Sequence, residues 1–263
     1  MRIENSFIPV RGVGEQTERE LWRRGVTHWD EFDRAALGPS LAERVESFID
    51  VAGDHLARGE ARFFGEVFPD AEHWRLYENF RDDACFLDIE TTGLSQRHDD
   101  VTVVGLRRAG ETTALVRGRD LDRESLRRAV AQAKLLVTFN GKRFDVPFLE
   151  EAFDVDLGLP HVDLMYPSRT LGLTGGLKAI ERAIGIERDR PDISGLDAVR
   201  LWHEYERGDE SSLETLLSYN RADVENLLTL ADHVTSSLHR RVFVAACGEG
   251  AVEPSPDQAT LGE

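Results

Sequence analysis

Lysine is almost absent from this chain. Lys134, Lys142 and Lys178 are the only lysines among 32 basic residues, set against 49 acidic ones, for a formal net charge of −17. That balance excludes the broad basic surface by which most nucleic-acid binders draw in phosphate. Binding of a polyanion would have to rest on metal, close hydrogen bonds and stacking. An acidic, lysine-poor surface suits a salt-loving host (a halophile), where net charge maintains solubility and long-range attraction is screened. A GC-rich genome favouring arginine codons is the alternative source of the same bias. Cysteine is scarce as well: Cys85 and Cys247 are the only two. They form neither a close metal pair nor a disulfide framework, and Cys85, inside an apolar string, reads as a small core residue. No apolar run approaches the length of a membrane span, so no membrane partner is expected. Met1-Arg2-Ile3-Glu4-Asn5-Ser6 lacks the apolar stretch of a signal peptide, which makes a cytoplasmic location the expectation.

The chain does have enough apolar residues for a core, 41% of 263, and enough length for one large domain or a domain with a smaller unit. Residues 1–80 read as mostly helical. Ser40 is a candidate cap for a helix through Leu41, Val45, Phe48, Ile49 and Ala52, after the breaker Gly38-Pro39. From residue 81 the pattern alternates. Strands are expected at 84–89, at 101–107 and 112–116 as a hairpin around Ala109-Gly110, at 135–139 and at 162–164. Helices are expected from about 122, at 146–152, 177–184, 195–205 and 211–238. This predicts an α/β fold with a mixed central sheet flanked by helices, in a domain over 81–240, with a helical N-terminal extension. The Gly/Pro/Glu-rich end, 248–263, reads as a disordered tail.

Acidic residues in three separate strings carry the chemistry. In Phe86-Leu87-Asp88-Ile89-Glu90-Thr91-Thr92-Gly93, strand alternation points Phe86, Asp88 and Glu90 one way and Cys85, Leu87 and Ile89 the other. Ionised carboxylates on a buried strand are costly unless a cation or donor satisfies them. Thr91-Thr92-Gly93 turns the chain at the carboxyl end of the strand, where ligands of open α/β sheets bind, and can offer backbone N–H groups to phosphate. In Phe139-Asn140-Gly141-Lys142-Arg143-Phe144-Asp145, the aspartate suits a helix N-cap before Val146-Pro147, or a metal contact, or both. Asn140 and Lys142 either touch substrate or merely build the turn. In Tyr219-Asn220-Arg221-Ala222-Asp223, Tyr219 and Asp223 share a helix face.

Taken in order, a D-x-E strand, an N-G-x-x-F-D loop and a Y-x-x-x-D helix resemble the DEDD (DnaQ-like) superfamily of 3′–5′ exonucleases, in its tyrosine-containing branch. With His161-Val162-Asp163-Leu164 and Gly176-Leu177-Lys178-Ala179-Ile180-Glu181, the wider setting is similar to the YprB-like group of ribonuclease-H-like proteins. The resemblance covers about residues 84–235. It implies a ribonuclease-H-like five-stranded sheet and two divalent cations, Mg²⁺ or Mn²⁺. Asp88 would bridge both, Glu90 and Asp223 would hold one, and Asp145 the other, partly through water. Tyr219 stands where the sister branch has a histidine, and its hydroxyl would orient the attacking water. The implied activity is trimming of DNA or RNA, as single strands, from a 3′ end. An endonuclease on the same fold, or a binding subunit for a helicase or repair complex, are the alternatives.

Residues 8–26 resemble the second half of a helix-hairpin-helix, in which the Gly12-Val13-Gly14 turn would give backbone N–H groups to a DNA phosphate. Glu15, Glu18 and Glu20 depart from that pattern and would repel phosphate. Trp22, Trp29 and Trp74 read as core residues, and His161 as a structural histidine.

Overall fold

A computed structural model describes residues 1–188 and 193–248. The tail read as disordered lies outside the described residues from 249 onward.

The N-terminal region is helical: α1 (Glu15–Arg23), α2 (Pro39–Ala57), α3 (Ala61–Val67) and the short α4 (Tyr77–Phe80), joined by 3₁₀ turns. Among the described residues five strands and seven α-helices follow: β1 (Ala84–Thr91), β2 (Val101–Arg108), β3 (Glu111–Val116), α5 (Arg123–Val130), β4 (Leu135–Thr138), α6 (Asp145–Phe153), β5 (His161–Asp163), α7 (Met165–Thr170), α8 (Leu177–Ile184), α9 (Gly195–Glu206), α10 (Glu210–His239) and α11 (Ala245–Cys247). The strands form one mixed sheet in the order β3-β2-β1-β4-β5. β1 runs antiparallel to β2 and parallel to β4. The hairpin closes on Ala109 and Gly110, both at positive φ (50° and 83°), as a two-residue turn matched to strand twist requires.

Strand alternation in β1 divides the core as its sequence predicts. Cys85, Leu87 and Ile89 pack with Leu126 and Val130 of α5 and Phe148 and Leu149 of α6. Phe86 joins the opposite face, under Val224, Leu227 and Leu230 of α10. That second cluster continues into the N-terminal region through Phe7, Trp22, Trp29, Phe64 and Trp74, so residues on both sides of position 80 share one core. The three tryptophans are therefore packing residues.

Two local expectations need correcting. α2 starts at Pro39 with Gly38 at the N-cap, so Ser40 lies inside the first turn and caps nothing. Proline is suited to that first position because its missing N–H would have had no helical partner. α7, with Pro167 in its first turns, was not anticipated from the pattern.

α1 follows a turn at Gly12 (φ 100°) and begins after Gly14. Among the described residues only a three-residue 3₁₀ segment, Ile3–Asn5, precedes that turn, so the hairpin lacks a first helix. Glu18 is not a surface charge. Its carboxylate accepts from the Ser6 hydroxyl and the N–H groups of Phe7 and Ile8 (2.7–3.0 Å), and pairs with buried Arg75 at 2.8 Å. Glu18 thus clamps the N-terminal segment.

Candidate metal centre

Strand β1 carries Asp88 and Glu90 on one face, and α10 crosses that face. Asp223 comes down from α10 so that one carboxylate oxygen from each of Asp88, Glu90 and Asp223 lies within 4.8 Å of the others. Glu90 and Asp223 are buried and Asp88 is partly so.

Asp145 reaches the group by a different route. β4 stops pairing with β1 at Phe86–Val137, which leaves Ile89 N–H beyond that ladder. Asp145 Oδ1 accepts this proton at 3.2 Å. The residue sits in the first turn of α6 with Phe144 at the cap position, so its side chain spans to the sheet instead of capping its own helix. It is not one of the three whose oxygens converge, yet its charge disfavours ionisation of both Asp88 and Glu90.

The local electrostatics follow from burial. Desolvation, reinforced by Asp223, Asp145 and Glu90, drives the Asp88 carboxyl well above the ordinary range. Desolvation, with the Asp223 and Asp145 charges behind it, pushes Glu90 up to about 8. Desolvation also takes Asp145 up to about 7, opposed by the Ile89 hydrogen bond. Asp223 is raised by burial and held back by Arg188.

Protons therefore bind more tightly in the folded chain than in the unfolded one. Stability from this source is complete below about pH 4 and is lost as pH rises through about 7 to 8. The expected result is a melting temperature that falls between pH 5 and pH 8.5 in chelator, and a fall abolished by saturating Mn²⁺. Melts with a flat or rising metal-free profile would contradict this.

Neighbouring side chains hold the carboxylates in place. Asn220 Nδ2 donates to Asp88 Oδ2 at 2.9 Å, while its own Oδ1 is buried without a hydrogen-bond partner among the described residues. Gly105 faces Asp88 in the β1–β2 register, and a Cβ there would stand 2.0 Å from Asn220 Oδ1. Tyr219 stands one helical turn before Asp223 on α10, and its hydroxyl favours the ionised form of that carboxylate. Burial and the adjacent carboxylates raise the phenol, so it remains a hydroxyl. Lys178 Nζ lies 4.5 Å from the Tyr219 ring centre and favours the ionised form of Glu90.

The remaining site candidates are placed less uniformly. Thr92 N–H donates to Asp100 O at 2.9 Å, and the Thr91 hydroxyl donates to Gly93 O. The Thr92 N–H is thus spent within the turn. Gly93 packs so tightly on Asp99 that a Cβ would meet its carboxylate at 2.4 Å. Asn140 adopts positive φ (66°), and Asp163 organises the loop by accepting the N–H groups of Asn140 (2.7 Å) and Lys142 (3.1 Å). The Lys142 ammonium faces Asp70 at 3.6 Å and lines a small cavity with His73 and His161, whose walls include none of the four carboxylates. His161 is half-buried, bonded to Thr138 Oγ1 at 2.8 Å and kept neutral by burial, which pushes its pKa down to about 3.

The sequence matches the RNase_H_2 family, RNase_H superfamily, over residues 85–235, more than half of the chain. The chain belongs to the RNase_H superfamily. The matched span runs from β1 into α10 and so takes in all four carboxylates. Solved structures are similar to this chain over part of its length. The family B DNA polymerase from the hyperthermophilic archaeon Pyrobaculum calidifontis superimposes with a TM-score of 0.51 at 20% identity, over 65% of this chain but only 27% of the polymerase. A structure described as the apo form of the nuclease gives 0.44 at 24% identity, over 62% of this chain and 77% of its own. Brucella melitensis NrnC bound to pGG gives 0.45 at 21%, over 65% and 80%. No curated protein matches the chain.

Residues that the motifs did not single out as functional also stand around the carboxylates: Gly105, Asn220, Lys178, Glu181 and Arg188. A glycine inside an apolar strand signals close backbone approach, and Asn220 lies beside Tyr219. Arg188 carries no such local signal.

Proposed function

We propose that the protein is a nuclease that hydrolyses phosphodiester bonds of nucleic acid, and that Asp88, Glu90, Asp145 and Asp223 hold two divalent cations, Mg²⁺ or Mn²⁺. The observation that carries this reading is the convergence of three carboxylate oxygens within 4.8 Å. The donor set fits: hard oxygen ligands, buried and mutually repulsive, are what such cations require. Bound there, the cations supply an ionised water at neutral pH and stabilise the leaving 3′ oxygen.

The protein's own groups do the positioning. Asp88 is oriented by Asn220, and Asp145 by Ile89 N–H, a bond that engages only one of its oxygens. Tyr219, one turn from Asp223 on α10 and still protonated, is suited to orient the attacking water by its hydroxyl. Thr91, Thr92, Gly93 and Asn140 flank the carboxyl end of β1 and β4 and are the proposed substrate contacts. Lys142, turned to Asp70, serves the loop in preference to the substrate. Residues 81–240 carry the chemistry and residues 1–80 buttress it. A 3′–5′ exonuclease on single strands is the form suggested by the resemblance to the tyrosine-containing DEDD branch.

Incubation of 3′-labelled and 5′-labelled oligonucleotides with Mn²⁺, on both DNA and RNA, tests this reading. Stepwise ladders from the 3′ end are expected. Internal fragments would indicate an endonuclease, and no cleavage would favour a binding subunit serving a helicase or repair complex.

For the N-terminal turn, a Cβ at Gly14 would meet no heavy atom of the described residues within 4 Å, so Gly14→Glu should fold normally. If the start of α1 receives phosphate, the variant loses DNA affinity, by several-fold in filter binding, and keeps hydrolysis of a small phosphodiester. Unchanged affinity would make this segment packing only.

A further inference from the structure

Arg188 lies after α8, and its guanidinium joins two carboxylates. Nε and Nη2 donate to both oxygens of Glu181, at 2.7 and 2.8 Å, and Nη2 also donates to Asp223 Oδ1. Glu181 is almost fully buried, with 1% of its side chain exposed, and also accepts from Asn226 Nδ2 at 3.1 Å. The two halves of this bridge differ. The Glu181 half is a two-point, planar pairing of the kind that fixes an arginine. The Asp223 half is a single contact to a carboxylate that also faces Asp88 and Glu90.

We propose that Arg188 is the exchangeable counter-ion of the carboxylate centre, occupying Asp223 in the metal-free protein and yielding it to a divalent cation while remaining tethered to Glu181. This rests on the metal-dependent reading above and adds a residue to it.

The physical argument is one of charge and reach. Among the described residues, Arg188 pairs with Glu181 and Asp223, and Lys178 favours the ionised form of Glu90, within a group that also holds Asp88 and Asp145. Asp223 cannot be both an unshielded metal ligand and the partner of a guanidinium through the same oxygen. Exchange is feasible because releasing Asp223 costs Arg188 one hydrogen bond and leaves its bidentate pairing intact. A buried arginine with no other partner could not let go without becoming an uncompensated charge. The released Nη2 would stay at the edge of the centre, where a substrate phosphate adds negative charge. Arg188 is thus a positioning residue in the free protein and a candidate phosphate contact in the loaded one.

The test is calorimetric titration of Mn²⁺ into the full chain without substrate, comparing wild type with Arg188→Gln, Arg188→Lys and Lys178→Gln. Lys178 supplies the control for charge alone, since it sits over the Tyr219 ring. Arg188→Gln is expected to bind Mn²⁺ about 10-fold more tightly than wild type, a shift of about 1.4 kcal/mol. Lys178→Gln should gain clearly less. Arg188→Lys, which keeps the charge but cannot hold two carboxylates bidentately, should fall between Arg188→Gln and wild type, and it carries the comparison if the glutamine variant does not fold. In Ca²⁺, affinity of Arg188→Gln for a single-stranded oligonucleotide should drop several-fold. Equal gains for Arg188→Gln and Lys178→Gln, or unchanged or weaker Mn²⁺ binding by Arg188→Gln, would overturn the exchange while leaving the nuclease reading intact. A wild-type protein that binds no Mn²⁺ would overturn both.

Discussion

Asp88→Asn is expected to abolish cleavage while leaving the metal-free protein as stable as wild type or more so. Asp88 is the carboxylate against which Asp223, Asp145 and Glu90 all press, and its ionisation is opposed by each of them. Asparagine is neutral at every pH, so in the absence of metal it removes the cost of that repulsion or of the proton taken up to avoid it. The asparagine can still accept the Asn220 Nδ2 hydrogen bond through its amide oxygen. The gain should appear as a melting temperature in chelator raised by about 2–4 °C for each kcal/mol. Activity responds in the opposite direction. A ligand on which the cations depend is lost, and the rate should drop by roughly 10³-fold or more, at least the cost of removing one charge-stabilising group from an active site. A variant that melts well below wild type in chelator would mark Asp88 as structural.

Gly105→Ala should produce the second large effect, through a residue that bears no functional group. Glycine 105 lies opposite Asp88 in the sheet, directly beneath α10. A Cβ would stand 2.0 Å from Asn220 Oδ1 and 2.8 Å from Val224 Cγ2. Both contacts come from side chains of α10, which packs on β1, β2 and β3, so Asn220 and Val224 must turn away or the helix must move. Overpacking of this kind costs about 1–3 kcal/mol. More tellingly, displacing Asn220 releases Asp88 Oδ2, and displacing α10 shifts Asp223 away from β1. The expected outcome is a lowered melting temperature together with Mn²⁺ affinity reduced by at least about 10-fold, the range seen when groups that orient metal ligands are lost. Thermal melts and Mn²⁺ titration on the same preparation check both. Wild-type metal affinity in Gly105→Ala would show that the closeness of α10 to the sheet is incidental to the site.

These effects also indicate what could be read from the chain and what could not. The division of β1 into a Cys85-Leu87-Ile89 face and a Phe86-Asp88-Glu90 face follows from a period of two, a local property, and the structure has it. Strand order and the meeting of positions 88, 90 and 223 are not local. They were legible only because three short motifs occur in a recognisable sequence. Asp145 shows the limit. Its position before Val146-Pro147 suggested a cap, but the free N–H it satisfies belongs to Ile89, exposed by the early end of β4 pairing. Arg188 was invisible for the same reason: its partners are Glu181, seven residues away, and Asp223, 35 residues away. Gly105 was available as an unexplained glycine in a strand, and only the crossing of α10 gives it meaning. The acidic composition remains compatible with a nucleic-acid substrate, since the proposed attraction is made at short range by bound cations.

Diffraction from crystals soaked in Mn²⁺, with the anomalous signal of the metal, tests the central claim most directly. The account predicts two peaks among Asp88, Glu90, Asp145 and Asp223, at about 2.0–2.6 Å from their oxygens as hard-cation coordination requires. Saturating Mn²⁺ with no peak against these carboxylates, or with peaks only at surface acids elsewhere, would contradict it.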